Sequence, residues 1–478
     1  MKPVIALLII AALLISGCAQ QDTQQVSEKD TKDSRVDTKK ESEQDTQQDL
    51  EEDTQEESEE DTEESELHTE QEYSTPLVKS ITTIVEFGKS LDWCHTNNLI
   101  ACGKMGDDSY YDVCIMNPDG SDERIITTSG CPQKHNGNPV WHPSGEYIVF
   151  TSQNEDAVCD ECDRVAIPGR GINCNLWVVT EDGNTFWQLT NYTSSATNPK
   201  GVIHPQFSHD GKKLLWAERV QNKRNTPWGE WVLKVADFII EDECYLKNTQ
   251  SYQPGEALRF YESHAFSKDD TKILFSGNLI EDQLESGLDI YELDLRTLKL
   301  TRLTDTFNDW DEHAHYSPDG EKIAWMSSDT LGDLGITFDD IRNHTWGLKL
   351  KTELWVMDTD GSHKKQLTFF NGDPEYFGNV IISDSSWSPD GTKIAATMVY
   401  KDSRGLRDYK SRIILIELDF QRENLEPSSG EFHVLNSPCE IGTHLLWLHG
   451  ILVMMAGDHA STRTFIALKN ASKREFEL

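Results

Sequence analysis

Five consecutive residues, Asp311-Glu312-His313-Ala314-His315, place two carboxylates and two imidazoles on one short stretch of chain. Imidazole nitrogens and carboxylate oxygens together make a ligand set for a divalent metal. His204, His444, His264 and Asp384 add donors of the same kind elsewhere in the chain. Cysteine offers a second chemistry. Cys159-Asp-Glu-Cys162 with Cys174 and Cys131 can be stapled by disulfides or can hold zinc. Cys102 and Cys114 fall on two consecutive apolar runs and can face each other, with Cys94 close by. Ten cysteines less Cys18 leave nine, so at least one thiol is free or paired between chains. Spacing alone does not give the connectivity.

The elements that position these groups repeat along the chain. The unit is an aromatic residue, a polar turn and an apolar strand. It reads Trp141-His-Pro-Ser-Gly145 before Tyr147-Ile-Val-Phe150, and Phe207-Ser-His-Asp-Gly211 before Leu214-Leu-Trp216. It recurs from Phe266 (Ser-Lys-Asp-Asp270), Tyr316 (Ser-Pro-Asp-Gly320) and Trp387 (Ser-Pro-Asp-Gly391), with degenerate copies at Trp93 and Trp447. Pro fixes φ, Asp bonds its own backbone and Gly accepts positive φ, so each unit opens with a hairpin. A third strand follows, as in Leu176-Trp-Val-Val179 or Glu353-Leu-Trp-Val-Met357, and then a short fourth, as in Lys365-Gln-Leu367. Four antiparallel strands per unit, repeated every ~45–70 residues, describe propeller blades.

These motifs resemble the PD40 repeat, the WD40-like repeat of TolB-type propellers, over nearly all of the chain after Pro76. The fold expected is all-β: seven blades, with six as the alternative. The segment Lys79–Phe87 reads as a strand that completes the seventh blade and clasps the two chain ends, which removes exposed sheet edges. Insertions Asn154–Asn173, Ile239–Gly255 and Asp329–Thr352 are expected as loops over one face, where function tends to concentrate.

In such a ring the first strand of each blade lines the axis. The residue three before each key aromatic is Ser90, Asn138, His204, Ser263, His313, Asp384 or His444. His204, His313, His315, His444 and Asp384 are therefore the candidate metal ligands of an axial cavity, with His264, Asp311 and Glu312 near them. Oligogalacturonate lyases, whose propeller is similar, hold a metal with histidines in such a cavity. That resemblance implies a metal-dependent enzyme acting on polysaccharide as the alternative to a non-catalytic binding module.

The N-terminus has a different logic. Met1-Lys2, an apolar run from Val4 to Ile15 and Ile15-Ser-Gly-Cys18 resemble a lipoprotein signal peptide with its lipobox. The organisation expected is a signal peptide at 1–17, a lipidated Cys18 with a disordered acidic linker at 18–75, and the propeller at 76–478. The linker is nearly devoid of aliphatic residues, and its carboxylates repel one another. An acylated cysteine anchors the chain to the cell membrane or outer membrane, on the extracytoplasmic side. A net charge of −39 argues against nucleic acid as a partner. A protein, peptide or glycan is expected instead. No P-loop, dinucleotide fingerprint or Gly-x-Ser-x-Gly elbow is present, and little sequence follows the last expected strand, so no hydrolase domain is expected. Asn191-Tyr-Thr193, Asn343-His-Thr345 and Asn470-Ala-Ser472 fit the glycosylation pattern.

Overall fold

A computed structural model describes residues 77–156, 162–195, 197–223, 226–255, 259–401 and 409–420, and the backbone of four later strands between 434 and 469. The expected signal peptide 1–17, the expected lipidation site Cys18 with the segment 18–75, Cys159 and Cys439 lie outside the described residues.

The described residues fold into four-stranded antiparallel sheets, all meanders but one, whose fourth strand comes from the N-terminal end. Blade 1 begins with the inner strand Gly88–Trp93, blade 2 with Asn136–Trp141 and blade 3 with Gly201–Phe207. Blades 4, 5 and 6 begin with Tyr261–Phe266, Asp311–Tyr316 and Ile381–Trp387. In every case the key aromatic ends the inner strand, as the repeat requires.

The turn after that aromatic is built the same way in four blades. Ser208, Ser267, Ser317 and Ser388 each donate through Oγ to an Asp two residues on, at 2.5–2.9 Å. Each Ser oxygen also accepts the backbone N–H five residues on, from Lys213, Lys272, Lys322 or Lys393, at 2.9–3.0 Å. The turn ends in the left-handed region at Gly211, Gly320 and Gly391, and at Asp270 where the repeat lacks its glycine.

Six hydrophobic clusters hold the ring, one for each pair of neighbours. Ile115, Ile126 and Cys131 of blade 1 meet Trp141, Ile148 and Phe150 of blade 2. Further clusters join blades 2 and 3, 3 and 4, 4 and 5, and 5 and 6. The sixth joins blade 6 back to blade 1, through Ala395, Ile413 and Leu415 against Leu91, Trp93 and Cys102. Polar contacts seal the same seam. The Trp93 N–H donates to Ser386 Oγ at 3.0 Å, and Ser386 Oγ donates to Asp92 Oδ1 at 3.0 Å.

The ring thus closes at six blades, not the seven expected as the first reading. The strand Val78–Glu86 pairs antiparallel with Tyr409–Leu418, with Ile81 opposite Ile416, and supplies the fourth strand of blade 6. It does not complete a seventh blade. The later strand Val434–Leu435 does not join blade 6 but enters the last sheet, where Leu435 lies opposite Leu445. That sheet, Val434–Leu435, Thr443–Leu448, Ile451–Ala456 and Arg463–Lys469, pairs only within itself. The expected clasp exists, one blade earlier. A strand from the N-terminal end satisfies the edge of blade 6, and no seventh sheet is needed to cover it.

One expected loop is not a loop. Residues 239–255 lie mainly in the third and fourth strands of blade 3, Thr226–Ile240 and Cys244–Tyr252. The insertion of that blade is instead a lengthened hairpin between Lys213–Lys223 and Thr226–Ile240.

Candidate functional site

Every inner strand carries one extra residue. Between Ile203 and Gln206 two residues face one on the neighbouring strand, and the same irregularity recurs between Glu312 and His315 and between Ile382 and Ser385. Blades 1, 2 and 4 have it at Lys89/Leu91, Gly137/Val140 and Ser263/Ala265. Such bulges re-aim side chains. At four of them a non-glycine residue takes positive φ: Ser90, Asn138, His204 and His313. Each such backbone costs on the order of 1–2 kcal/mol and persists only where its surroundings impose it. All four stand three residues before the key aromatic.

The bulges bring a set of ionisable groups together at the axis. His204 Nδ1 lies 2.9 Å from Glu262 Oε1, and the His204 and His313 rings stack with centroids 4.8 Å apart. Asp384 Oδ1 is 3.5 Å from His313 Nδ1 and 3.8 Å from His204 Nε2. The carboxyls of Glu262 and Glu312 hydrogen-bond each other, and Trp310 Nε1 donates to Glu312 Oε2 at 2.6 Å. Two carboxyls in such contact must share a proton. Burial pushes Glu262 up to about 8. Burial, and then the charge of Glu262, drive Glu312 well above the usual carboxylate range. Burial also lowers the imidazoles, His313 to about 4 and His315 to about 3, so they stand neutral. Burial opposes the ionised form of Asp384 as well, but His313, His204 and Lys89 outweigh it and hold that carboxyl below its ordinary value. Burial and the neighbouring Arg170 lower Lys89 to about 8.

Single donor atoms of His204, Glu262, His264 and His313 all lie within 4.8 Å of one another. His204 Nε2 and His264 Nδ1 are buried with no hydrogen-bond partner. Neutral imidazoles with open nitrogens beside a carboxyl fit a divalent cation, which would expel the shared proton from the acid pair.

Above this floor lies a cavity of about 340 Å³. Its walls are aromatic. Trp310 sits 4.9 Å from Trp346 and 5.5 Å from Trp228, and Phe260 is 4.7 Å from Trp228, ring centre to ring centre. Trp228 comes from the lengthened hairpin of blade 3, and Trp346 from the blade 5 insertion. That insertion contains the helix Phe338–Arg342, opened by a capping box between Thr337 and Asp340. The blade 2 insertion reaches across to it: Arg164 donates to the His344 carbonyl at 3.1 Å, and the Arg170 guanidinium lies 6.0 Å from the Trp346 ring centre. The blade 2 insertion is pinned from below. The Gly169 N–H donates to Asn138 Oδ1 at 2.9 Å, and Pro168 fills the space a side chain at Gly137 would need.

Of the residues expected as ligands, His204, His313 and Asp384 come together. His315 stands behind, its ring 6.5 Å from that of His264, and is not one of the four clustered donors. The backbone of His444 lies in the separate last sheet, and its side chain is outside the described residues. Glu312, expected within the Asp311–His315 cluster, is at the site, whereas Glu262, Lys89 and the wall tryptophans are not among the residues the sequence points to. A signal existed for the polar ones. The residue four before each aromatic is Lys89, Ile203, Glu262, Glu312 or Ser383 in five blades, and all five line the cavity.

The cysteine set is not assembled among the described residues. Cys131 lies in the core between blades 1 and 2 and Cys174 in that between blades 2 and 3. Each thiol donates to a backbone carbonyl, of Thr128 and Ala166 respectively, at 3.6 Å. Cys162 begins the short helix Cys162–Ala166.

No protein-family model matches the sequence, and no curated protein matches it. Among solved structures, it is similar to TolB from Acinetobacter baumannii, at 15% identity over 65% of this chain and 60% of that one, with a TM-score of 0.40. It thus spans less than two thirds of that TolB. A putative TolB from Agrobacterium tumefaciens matches at 13% identity over 70% of this chain and 96% of its own, TM-score 0.43. An oligogalacturonate lyase in complex with manganese matches at 11% identity over 73% and 96%, TM-score 0.41. The strand pairing described above stands by itself, and it makes the described residues 77–420 an all-β propeller of six four-stranded blades.

Proposed function

We propose that this chain is a non-catalytic recognition propeller on the extracytoplasmic side of a membrane, anchored through Cys18 and held off the surface by the acidic segment 18–75. Its axial cavity takes the end of a protein, peptide or glycan. The observation that carries the reading is the aromatic cavity itself, closed over by two inserted segments and floored by charge. Tryptophan faces bury sugar or side-chain surface, while a few polar groups set orientation. A volume of about 340 Å³ suits one terminal residue or sugar ring and not a polymer running through.

Four tryptophans, Trp228, Trp231, Trp310 and Trp346, line the cavity, so a ligand that enters it changes their fluorescence. Titration with a panel of peptides and oligosaccharides tests this. A saturable change that Trp310→Ala abolishes supports the reading, and a panel with no saturable member counts against it. Mass spectrometry of the mature N-terminus tests the anchor, which an unmodified Met1 would remove.

One observation favours a second reading, a metal-dependent enzyme acting on polysaccharide: the four clustered donors His204, Glu262, His264 and His313. A divalent ion held there would polarise a substrate carboxylate. Stoichiometric Mn, Zn or Ca in purified protein, lost in His313→Ala, would favour it over simple binding.

A further inference from the structure

Blade 1 contains a pair of thiols that the site does not use. Cys102, in the strand Ile100–Met105, lies directly opposite Cys114, in Tyr111–Met116. Residues opposite each other on antiparallel strands project to the same face with Cα atoms about 4.5–5.5 Å apart. That spacing falls within the range a disulfide spans, about 4.4–6.8 Å. The side chains are turned together, with the sulfurs 2.6 Å apart. Neither is exposed at all. Both belong to the cluster that joins blade 1 to blade 6, with Leu91, Trp93, Ala395 and Ile413.

We propose that Cys102 and Cys114 are joined by a disulfide that staples the second and third strands of blade 1 at the seam where the ring closes. The bond forms by exchange with a disulfide-bearing oxidant. One thiolate attacks the oxidant and releases one of its sulfurs as a thiol. The second cysteine then attacks the protein sulfur of that mixed disulfide and releases the other. Two protein thiols lose two protons and two electrons, and the oxidant's disulfide becomes two thiols. In the closed blade, contact with Cys114 and then burial hold the Cys102 thiol well above its ordinary range. Thiolate chemistry is suppressed there, so the exchange takes place before the core closes. Once the core has closed, the bond is out of reach of soluble reductant. The inference rests on the blade geometry and not on the ligand proposed for the cavity. It does require export to an oxidising compartment.

The test uses the full chain exported into such a compartment, unfolded in denaturant with an alkylating agent and no reductant. Trypsin cuts after Lys104, so a Cys102–Cys114 bond holds peptides 90–104 and 105–124 together. Chymotryptic cleavage at Leu99 separates Cys94 from Cys102 and removes the ambiguity. The expected result is one linked pair that parts on reduction, and a native protein that keeps it when reductant is added without denaturant. Alkylation of both Cys102 and Cys114 in the unreduced sample, or a link from either to Cys94, would overturn the proposal. Peptide mapping of the wild-type chain needs no variant that folds. The Cys102→Ser/Cys114→Ser protein adds a second measurement where it does fold: its unfolding midpoint no longer responds to reductant, whereas the wild type's falls.

Discussion

The blades use the same bulged inner strand for two purposes. In blades 3 to 6 the paired positions before the aromatic are Ile203-His204, Glu262-Ser263, Glu312-His313 and Ser383-Asp384, and their acids and imidazoles gather into one buried network. In blades 1 and 2 the same positions read Lys89-Ser90 and Gly137-Asn138. Blade 2 has no side chain at Gly137 and a hydrogen-bond acceptor at Asn138, and it seats the covering loop instead. The backbone device is shared, and two residues per blade decide whether it builds a floor or fastens a lid. Function in this ring is written at two positions of the repeat and not across it.

The floor side carries the largest expected effect. Glu262 is 4% exposed and its folded value is about 8, against an ordinary value near 4.5. A folded value above the unfolded one means the contribution is complete below about pH 4.5 and is lost as pH rises through about 8. His313 runs the other way. Its value falls from 6.5 to about 4, so stability is lost as pH drops from 6.5 towards 4. Denaturant midpoints measured from pH 4 to 9 should therefore peak near neutrality. In Glu262→Gln the loss between pH 6.5 and 8 should shrink by a few kcal/mol. An unchanged alkaline limb would mean that the acid pair is not buried as described.

The lid side gives the next. A Cβ at Gly137 would lie 2.3 Å from Cγ of Pro168, and a proline ring cannot rotate away. Gly137→Ala should cost about 1–3 kcal/mol of strain or displace the blade 2 insertion. The sharper expectation is faster proteolysis within 162–172 and at least tenfold weaker binding in the cavity, with blades 3 to 6 still folded. Equal binding by the variant would separate the lid from the site.

Much of this organisation is legible in the sequence, for a physical reason. Turn chemistry and strand alternation are local, so five copies of an aromatic followed by a polar turn, three of them with the full Ser-x-Asp-Gly, reveal hairpins, and hairpins reveal blades. The bulge residues could be found by counting back from the aromatic, which placed His204, His313 and Asp384 at the axis. The blade number could not be read that way. It depends on whether Val78–Glu86 covers the edge of blade 6 or of a later sheet, and that pairing joins residues more than 300 positions apart, such as Ile81 and Ile416. That Glu262 is buried, and that it pairs with Glu312, is not legible for a related reason. Glu262 and Glu312 look like surface residues until the extra residue beside each turns it inward.

Away from the axis, the turn boxes test whether the repeat itself is stabilising. Ser317 Oγ donates to Asp319 at 2.5 Å and accepts from the Lys322 N–H at 2.9 Å, and the residue is buried. Ser317→Ala should lose about 1–2 kcal/mol, read as a shift in denaturant midpoint with no change in cavity binding.

The smallest effect is the most discriminating, because the repeat and the structure disagree about its sign. Asp270 stands where the other boxes have glycine, at φ 57°. On the repeat alone, Asp270→Gly should relieve about 1 kcal/mol of left-handed strain and stabilise the turn. But the Asp270 carboxylate also accepts the His209 N–H at 2.8 Å and the Asp210 N–H at 3.1 Å, and it lies 3.0 Å from His209 Nδ1. Those contacts tie the turn of blade 4 to that of blade 3. Hydrogen bonds to a charged group contribute about 1.5–3 kcal/mol when buried and less in a turn open to water. Their loss should slightly exceed the strain relieved, so the glycine variant is expected to be less stable by about 1 kcal/mol or less. Asp270→Asn separates the two terms. It tolerates the same backbone and its one amide oxygen can still accept the His209 N–H, while the Asp210 N–H loses its acceptor and the charge is gone, so it should fall between the wild type and the glycine variant. A glycine variant more stable than the wild type would show that the inter-blade bonds at the rim contribute nothing, and that the six apolar seams alone fix the order of the blades.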